Sequence, residues 1–298
     1  MSMDFFQVKG NTWCLQAAEL IPVYRLDARR CILLDSGWSW EREALKEVFE
    51  QKGLTPVGAI GTHGHKDHVG NHAWLKETYG TKLCMPQGEA ALVRNLAMLK
   101  VQYSMLSPKT VEEFTGDTIF EVDEEIGPED GEIEFAGGRF YIHHTPGHTV
   151  DHICVGTEDG VCYVSDLVLT GSTRKNARLP YNFIHRMARA SMEKMRDIPG
   201  YDRYIIAHQK IVESLDSAVE KNLNMLDQIS EYILELTEQP VTWEELMTKV
   251  LDRNQLYTGN EIKIAIYEQA VQKFIDDLKD TGRLAIEVSH GVRRYRRR

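Results

Sequence analysis

Three histidines and one aspartate lie within six residues, in the segment His63-Gly-His65-Lys-Asp67-His68. Imidazole and carboxylate groups are the ligands expected for zinc and related transition ions. His63 and His65 are two positions apart in an extended segment, so their side chains can project to the same side and bind one metal. Asp67 and His68 follow where the chain turns into a helix, so they can face a second position. The cluster therefore predicts a metal site that activates water.

Three later segments each add one further donor beside a strand-like run. His148 lies in the turn Thr-Pro-Gly-His-Thr, and Asp166 interrupts the apolar run that begins at Tyr163. A buried carboxylate is costly unless it meets a cation or hydrogen-bond donors. His208 directly follows the apolar run Tyr204-Ile-Ile-Ala. Each donor alone has an ordinary structural interpretation, but their order along the chain favours one shared site.

This ordered set resembles the metallo-β-lactamase fold superfamily over residues 1 to about 210. The resemblance implies an α/β fold, a four-layer αβ/βα sandwich with two divalent metal ions at one edge. It rests on Leu34-Asp35-Ser-Gly37, the His63–His68 cluster, Thr-Pro-Gly-His148-Thr, Ser-Asp166 and His208. By this resemblance the first metal is bound by His63, His65 and His148, and the second by Asp67, His68 and His208. Asp166 bridges the two metals. Asp35 supports the ligand loop from a second shell.

Two positions depart from common patterns of the family. Many relatives have the last histidine between glycines, whereas His208 stands between Ala207 and Gln209. The family's β-lactamases often have cysteine or another residue where this chain has Asp166, and aspartate there is typical of the thioesterases that resemble glyoxalase II. The resemblance therefore favours an ester- or thioester-type hydrolase over an enzyme that degrades β-lactams.

The ligand set predicts a metal-dependent hydrolase. Two metals about 3.5–4 Å apart can share a hydroxide, because their charge lowers the pKa of bound water toward neutrality. We expect this hydroxide to attack an ester, thioester or lactone-type small molecule, with Asp67 as the catalytic residue that orients it and receives its proton. Zinc is the default metal, and iron or manganese occur in similar sites. Candidate substrate-binding residues are Arg174, Lys175, Tyr181 and His185.

Strand-like runs alternate with helical patterns in the first 211 residues. Helices are predicted over about 40–52, from Gly70 to Gly80, over about 87–100 and over about 183–197, by apolar spacing and terminal glycines. Residues 101–130 are interpreted as an irregular acidic surface insertion, and residues 170–182 as a polar loop. Five scattered cysteines suit reduced, core-filling thiols.

The pattern changes near residue 212. A long amphipathic helix is predicted to about residue 237, and capping boxes at Thr242 and Thr258 predict two further helices, the second reaching about residue 280. A hairpin is predicted around His290-Gly291. Three helices followed by a ribbon resemble a winged-helix module. We therefore divide the chain into a catalytic domain, residues 1–211, and a small, mostly helical, winged-helix-like domain, residues 212–298.

Charge bears on the partners of the chain. The net charge of −10 disfavours nonspecific binding to nucleic acid or acidic lipid. The winged-helix-like tail keeps a phosphodiesterase or endoribonuclease, or a nucleic-acid-binding protein, as the alternative to a small-molecule hydrolase. However, the helix over about 260–280 is more acidic than basic, whereas phosphate neutralisation needs basic residues. The arginine-rich ribbon is better interpreted as a homodimer contact or a cap over the active site.

Two further observations bear on location. The sequence has no apolar run of the roughly eighteen residues that a membrane-spanning helix needs. Its N-terminus lacks a basic region followed by an apolar one, which is the pattern of a secretion signal. We therefore expect no contact with the membrane and a cytoplasmic location.

Overall fold

Strands rich in β-branched and aromatic residues form two large sheets. The computed structural model describes residues 3–298, apart from the side chain of Ser172. The first sheet is antiparallel from its first to its fourth strand and parallel from there on. In spatial order its strands are β1 (Asp4–Lys9), β2 (Thr12–Gln16), β3 (Leu20–Arg25), β4 (Arg30–Leu34), β5 (Thr55–Ile60), β6 (Lys82–Pro86) and β7 (Glu124–Ile126).

The second sheet has six strands and one parallel pair, β11 with β12. Strands that are neighbours in this sheet are also consecutive along the chain. The strands are β8 (Gly131–Phe135), β9 (Gly138–His144), β10 (Ile153–Thr157), β11 (Val161–Ser165), β12 (Arg203–Ile206) and β13 (Lys210–Val212). A separate antiparallel hairpin of β14 (Leu284–Ser289) and β15 (Val292–Arg297) confirms the ribbon predicted near the end of the sequence.

The helices lie mainly on the outer faces of the two sheets. Those before residue 131 are α1 (Arg42–Lys52), α2 (Lys66–Val69), α3 (His72–Tyr79), α4 (Gln87–Val93), α5 (Leu96–Gln102) and α6 (Pro108–Thr115). Those after it are α7 (Gly171–Asn176), α8 (His185–Asp197), α9 (Asp216–Leu236), α10 (Trp243–Asn254) and α11 (Glu261–Asp280). None of these helices, among the residues described, has a stretch long and apolar enough to cross a membrane.

Three apolar clusters lie between the four layers of the fold. Ile32, Phe140 and Tyr163 belong to a cluster between the inner faces of the two sheets. A second cluster joins α1, α3 and α4 to the outer face of the first sheet, and a third joins α8–α11 to the outer face of the second sheet. These layers confirm the predicted αβ/βα sandwich. All five cysteines are buried and free, as expected for core-filling thiols.

The third cluster continues across residue 211. Val164 of β11 and Met192 of α8 share it with Leu226 of α9 and Phe274 of α11, and all four side chains are buried. The three helices and the hairpin after residue 212 have the predicted order. Their classification as a winged helix and the domain division at residue 211 remain predictions.

Sequence patterns were misleading between residues 87 and 130. The single helix predicted over about 87–100 is two helices, because Asn95 adopts an extended conformation and its side chain accepts a hydrogen bond from the Met98 N–H, 3.0 Å away. The segment 101–130 is not irregular throughout. It contains α6, which is capped by Ser107, and β7, which pairs with β6.

Two shorter predictions are also corrected. The segment 170–182 is not entirely a loop, since it contains α7. The capping box predicted at Thr258 is absent from the start of α11, which begins two residues later than that pattern implies. Asn260 caps α11 and accepts a hydrogen bond from the Lys263 N–H at 2.9 Å, while Thr258 Oγ1 accepts one from the Asn260 N–H. The capping box at Thr242 is confirmed.

Candidate metal centre

Strand ends from both sheets carry the seven predicted ligands to one edge of the sandwich. His63 and His65 follow β5, and the short helix α2 carries Asp67 and His68. The second sheet contributes three donors, each after or between its strands: His148, Asp166 and His208. The structure brings all seven together as two groups with one shared member: His63, His65, His148 and Asp166 in the first, and Asp67, His68, Asp166 and His208 in the second.

Three imidazole nitrogens converge in the first group. His65 Nδ1 lies 3.0 Å from His63 Nε2 and 3.1 Å from His148 Nε2. These separations are close to the ~3.3 Å between two nitrogens bound to one tetrahedral zinc ion at its usual bond length. Burial lowers the pKa of His65 and of His148 to about 4, and that of His63 well below its usual value. The rings are therefore neutral at pH 7, which is the form that binds metals.

Asp166 lies between the two groups. Its Oδ2 is 3.4 Å from His148 Nε2, and its Oδ1 is 3.4 Å from His68 Nε2 and 3.1 Å from His208 Nε2. Asp67 lies further out, with Oδ2 3.9 Å from His68 Nε2. Oδ2 also lies 3.3 Å from His208 Nε2, so the carboxylate of Asp166 contacts nitrogen donors of both groups.

Hydrogen bonds at Nδ1, on the far side of the ring, leave Nε2 as the inward-facing atom in three of the five histidines. His63 Nδ1 is 3.1 Å from Thr62 Oγ1, and His148 Nδ1 is 3.3 Å from the carbonyl oxygen of Tyr181. His68 Nδ1 lies 2.7 Å from Asp35 Oδ2. A partner that accepts the Nδ1 proton fixes the tautomer and orientation of a metal-binding imidazole.

Asp35 is a buried acceptor behind the cluster. Besides His68, it accepts hydrogen bonds from the Thr62 N–H at 2.7 Å, the Thr62 hydroxyl at 2.9 Å and the Tyr163 hydroxyl at 2.8 Å. Its backbone has a φ of 64°, which is uncommon for a residue other than glycine. Asp35 therefore links β4, the turn after β5 and β11 directly behind the donors, in the position predicted for it.

The second group concentrates negative charge around two histidines. Burial opposes a positive charge on His68, but the carboxylates of Asp166, Asp35 and Asp67 outweigh it and raise the pKa of His68 well above its usual value. Burial likewise opposes charge on His208, yet Asp166 and Glu19 raise its pKa to about 10. The second position therefore attracts a cation.

The donor set fits divalent metal ions. His68 Nε2 and Asp166 Oδ1 are buried and make no hydrogen bond of good geometry with any described residue. Buried polar atoms without partners are rare in native proteins and call for an ion or another explanation. Mixed imidazole and carboxylate donors are harder ligands than thiolates and softer ligands than a set of oxygen atoms alone. Such mixed donors suit zinc, iron and manganese.

Two glutamates near the cluster carried no recognisable sequence pattern. Glu19 Oε2 lies 2.5 Å from His208 Nδ1 and is the ion-pair partner of this ring. Glu89 is fully buried and accepts hydrogen bonds from the Gly64 N–H at 2.8 Å and the Asp151 N–H at 2.9 Å. It therefore joins the loop of His63 and His65 to the loop of His148. Only the fold brings either glutamate to the site.

The glycine before His148 is required by close packing. Gly147 has a φ of 131°, and a Cβ atom there would lie 2.1 Å from the backbone nitrogen of Ala188 in α8. The backbone N–H of Ile184 donates to the Gly147 carbonyl at 3.0 Å. The turn that carries His148 is thus fixed against the beginning of α8.

Among the four substrate-binding candidates, Tyr181 alone lines the two cavities that open at the cluster. Its ring centroid is 6.0 Å from that of His65 and 6.1 Å from that of His148. Arg174 and Lys175 instead line a cavity between α7 and α9 that includes none of the seven predicted ligands, because the expected loop folds into a helix. His185 is buried with its ring centroid 4.1 Å from that of Phe274, away from both cavities.

The four-layer fold and this donor set together define the metallo-hydrolase class. A family model described as "Metallo-beta-lactamase superfamily" matches residues 22–208. Since that match spans more than half of the chain, the protein belongs to the metallo-beta-lactamase superfamily.

Curated relatives include a protein named hydroxyacylglutathione hydrolase from Pseudomonas aeruginosa, which is 28% identical over 211 residues. That alignment covers 70% of this chain and 64% of the relative. A protein of the same name from Chromohalobacter salexigens is 24% identical over 199 residues, covering 65% of this chain and 64% of the relative. The chain therefore spans less than two thirds of the length of these relatives.

Solved structures with the same fold match nearly the whole chain. A beta-lactamase domain protein from Burkholderia ambifaria superposes with a TM-score of 0.75 at 19% identity, covering 99% of this chain and 94% of the other. A metallo-beta-lactamase family protein from Thermus thermophilus gives a TM-score of 0.69 at 19% identity, with 100% and 99% covered. These likenesses show the fold alone.

Proposed function

We propose that this metallo-hydrolase uses two divalent ions to hydrolyse an ester, thioester or lactone of a small molecule, with a thioester as the first choice. The observation that carries the proposal is the position of Asp166, whose carboxylate lies within 3.4 Å of His148 Nε2 in the first donor group and of His68 Nε2 and His208 Nε2 in the second. A carboxylate that contacts both donor groups can help to hold two neighbouring metal ions. Zinc is the proposed metal at both positions, because histidine and carboxylate donors predominate.

The names of the curated relatives support a thioester. A hydroxyacylglutathione hydrolase, as the name says, cleaves an acyl group from glutathione, and an acyl group on a thiol is a thioester. The family model, which matches residues 22–208, covers all seven proposed ligands. We infer the same bond type for this chain, not the same substrate.

Hydrolysis requires one new bond and one proton transfer. The water oxygen bonds to the carbonyl carbon, the bond from that carbon to sulfur or oxygen breaks, and a proton passes from water to the leaving group. Two bound divalent ions would lower the pKa of water and stabilise negative charge on the carbonyl oxygen. Asp67 lines the cavity above the cluster, where its carboxylate can orient water and hold the proton.

The remaining proposed roles belong to residues around the donors. Asp35 and Glu19 lie at the Nδ1 atoms of His68 and His208, so Nε2 of each ring faces Asp166, where the second metal is proposed. The hydroxyl of Tyr181 stays protonated, because burial raises its pKa to about 12. It can therefore donate a hydrogen bond to a substrate oxygen. These roles use side chains whose surroundings are already fixed before substrate binds.

The test is a substrate panel with metal-loaded protein. Thioesters, esters, lactones, β-lactams, phosphodiesters and RNA are compared in wild type, Asp67→Ala and Asp202→Ala. Asp202 is an exposed partner of Lys9 remote from the cluster, so its variant controls for loss of a carboxylate. We expect thioester hydrolysis to fall by about 10²–10⁴ in Asp67→Ala and to stay unchanged in Asp202→Ala.

Two outcomes would contradict the proposal. RNA or phosphodiester cleavage that is lost in Asp67→Ala, without thioester cleavage, would replace it with the nuclease alternative. A metal content near one ion per chain in active protein would remove the two-metal arrangement. Metal content is therefore measured on every variant before activity is compared.

A further inference from the structure

We propose that the substrate group beside the metal centre is an apolar acyl chain of about six to eight carbon atoms, and that α11 selects its length. This inference rests on the proposed function, since it names the acyl part of the thioester. It also separates this chain from relatives whose names specify a hydroxyacyl group. The evidence is the cavity that opens onto the first donor group.

This acyl cavity has a volume of about 260 Å³ and includes His65, Asp67 and His148 among its lining residues. At about 30 Å³ for a group of water size, it holds roughly eight or nine such groups. Its other walls are largely aromatic or aliphatic. They include Trp38, Tyr103, Phe114, Tyr181 and Ile266, and the amide side chains of Gln102 and Gln269 also line the cavity.

The two charged side chains that line the acyl cavity are already engaged elsewhere. Lys66 is the one cation among its lining residues, and its Nζ donates to the carbonyl oxygen of Phe114 at 2.6 Å. The same ammonium lies 4.6 Å from the ring centroid of Phe114 and 5.6 Å from that of Trp38. The charge of Lys66 is therefore stabilised by contacts with other lining residues of the cavity. Asp67 is the one lining carboxylate, and it serves the proposed reaction.

The wall formed by α11 is fixed in place. A small apolar cluster joins Leu99, Leu106 and Val111, around α5 and α6, to Ala265 of α11. Gln269 of α11 donates a hydrogen bond from Nε2 to the carbonyl oxygen of Gln102 at 3.3 Å. One turn of α11 therefore rests on the acidic segment and presents Ile266 to the acyl cavity. A residue near the end of the chain thereby limits the space above ligands near its beginning.

The acyl side of the bond is the better occupant for this cavity. Thiols that carry acyl groups in cells bear peptide or nucleotide portions with charges and amides. Transferring such groups into a mainly aromatic space that offers few polar partners is costly. An alkyl chain has no such cost, and each methylene that it buries strengthens binding. We therefore assign the cavity to the chain attached to the carbonyl carbon.

The test varies the acyl group while the thiol stays constant. N-acetylcysteamine thioesters of two, four, six and eight carbons, and the 2-hydroxypropanoyl thioester, are hydrolysed by metal-loaded full-length protein. Wild type should gain about threefold to fourfold in kcat/KM for each added methylene, the ratio that corresponds to burial of one CH₂. The 2-hydroxypropanoyl thioester should rank with the two-carbon substrate.

Variants of α11 locate the effect. Ile266→Phe and Ile266→Trp should lower kcat/KM for the eight-carbon substrate at least tenfold and leave the two-carbon substrate within about twofold. Lys263→Trp puts the same large side chain on an exposed position of α11 and should preserve the preference. Metal content and thermal unfolding are measured for each variant. If Ile266→Trp does not fold, Ile266→Phe, with its smaller side chain, still tests the effect.

Distinct results would overturn distinct proposals. No dependence on chain length, a preference for the 2-hydroxypropanoyl thioester, or an equal loss on all substrates in both Ile266 variants would refute the acyl assignment. The proposed function would still stand in each of those cases. If no thioester of any length were hydrolysed, the choice of a thioester in the proposed function would fail, and the acyl assignment with it.

Discussion

Nδ1 of His68 lies 2.7 Å from Oδ2 of Asp35, and both side chains are buried. The contact leaves Nε2 of His68 facing Asp166, where the second metal is proposed. Two further residues, Thr62 and Tyr163, donate to the same carboxylate, so Asp35 cannot rotate without breaking several hydrogen bonds at once. The ring orientation of one donor thus depends on a residue that lies 33 positions earlier in the chain.

Replacing Asp35 with asparagine tests this dependence. An amide removes the negative charge, and its NH₂ group cannot accept the proton of His68 Nδ1. We expect Asp35→Asn to bind the second metal about 10–100-fold more weakly, as is typical for partners of metal ligands. Chelator competition measures the affinity. Asp159→Asn is the control, because it changes a carboxylate that accepts a hydrogen bond from Thr12 in a distant turn. Equal metal affinities in the two variants would contradict the expectation.

Glu19 gives a second test on the other histidine of that group. It lies 2.5 Å from His208 Nδ1 and contributes to raising the pKa of His208 to about 10 in the absence of metal. We expect Glu19→Gln to retain one strongly bound metal and lose occupancy of the second, with Glu19→Ala more severely affected. Metal content after dialysis against dilute chelator is the measurement. Two tightly held ions in both variants would show that His208 needs no partner.

Much of the site was predictable because the ligands combine residue type with spacing. His63, His65, Asp67 and His68 are close together in sequence, and the donors after them lie at recognisable strand ends. Glu19 and Glu89 were not predictable, since a single glutamate after a strand or within a helix has no pattern. Their roles arise from pairing across the sandwich, at sequence distances of 189 for Glu19 to His208 and 62 for Glu89 to Asp151.

The fold was predictable to a similar degree and for similar reasons. Periodicity identified most helices and the meander of strands, because these signals are local. The acidic segment 101–130 looked irregular because its charge conceals a capped helix and a strand. The contact between Gln102 and Gln269 joins positions 167 apart, so no local pattern indicates that α11 lies over the metal centre.

His185 predicts a pH dependence of stability. Burial lowers its pKa to about 3, with Arg189 and Lys273 adding to the shift, and neither ring nitrogen has a hydrogen-bond partner among the described residues. Unfolding restores a pKa near 6.5, so between pH 6.5 and 3 the unfolded chain binds an extra proton and stability falls as pH falls. This residue alone should lower the free energy of unfolding by about 2 kcal/mol at pH 5 relative to pH 7 and above.

The variant His185→Leu isolates that contribution. Leucine preserves the apolar contact with Phe274 and has no charge to gain. We expect the variant to become more stable relative to wild type as pH decreases from about 6.5 to about 5, with a constant difference above about pH 7. Urea unfolding of metal-free protein measures both curves. His290→Leu, at an exposed position of the hairpin, is the control for loss of one histidine. Parallel curves for wild type and His185→Leu would contradict the assignment.

The proposed division at residue 211 leads to a prediction about separability. Val164 and Met192 lie before the boundary and share one buried cluster with Leu226, Ile233 and Phe274 after it. Burial of each large apolar side chain contributes about 1.5–3 kcal/mol, and a domain's net stability is only about 5–15 kcal/mol. Residues 1–211 alone would expose the part of the second sheet that α9–α11 cover, and the side of α8 that packs against α9 and α11.

We therefore expect residues 1–211, produced alone, to bind a dye specific for exposed apolar surface and to unfold without a cooperative transition. The full chain should unfold in one transition, with metal addition raising its midpoint because ions bind the folded state. Calorimetry with and without zinc distinguishes the two proteins. If residues 1–211 unfolded cooperatively and gained stability from zinc, the division at residue 211 would mark an independent folding unit despite the shared cluster.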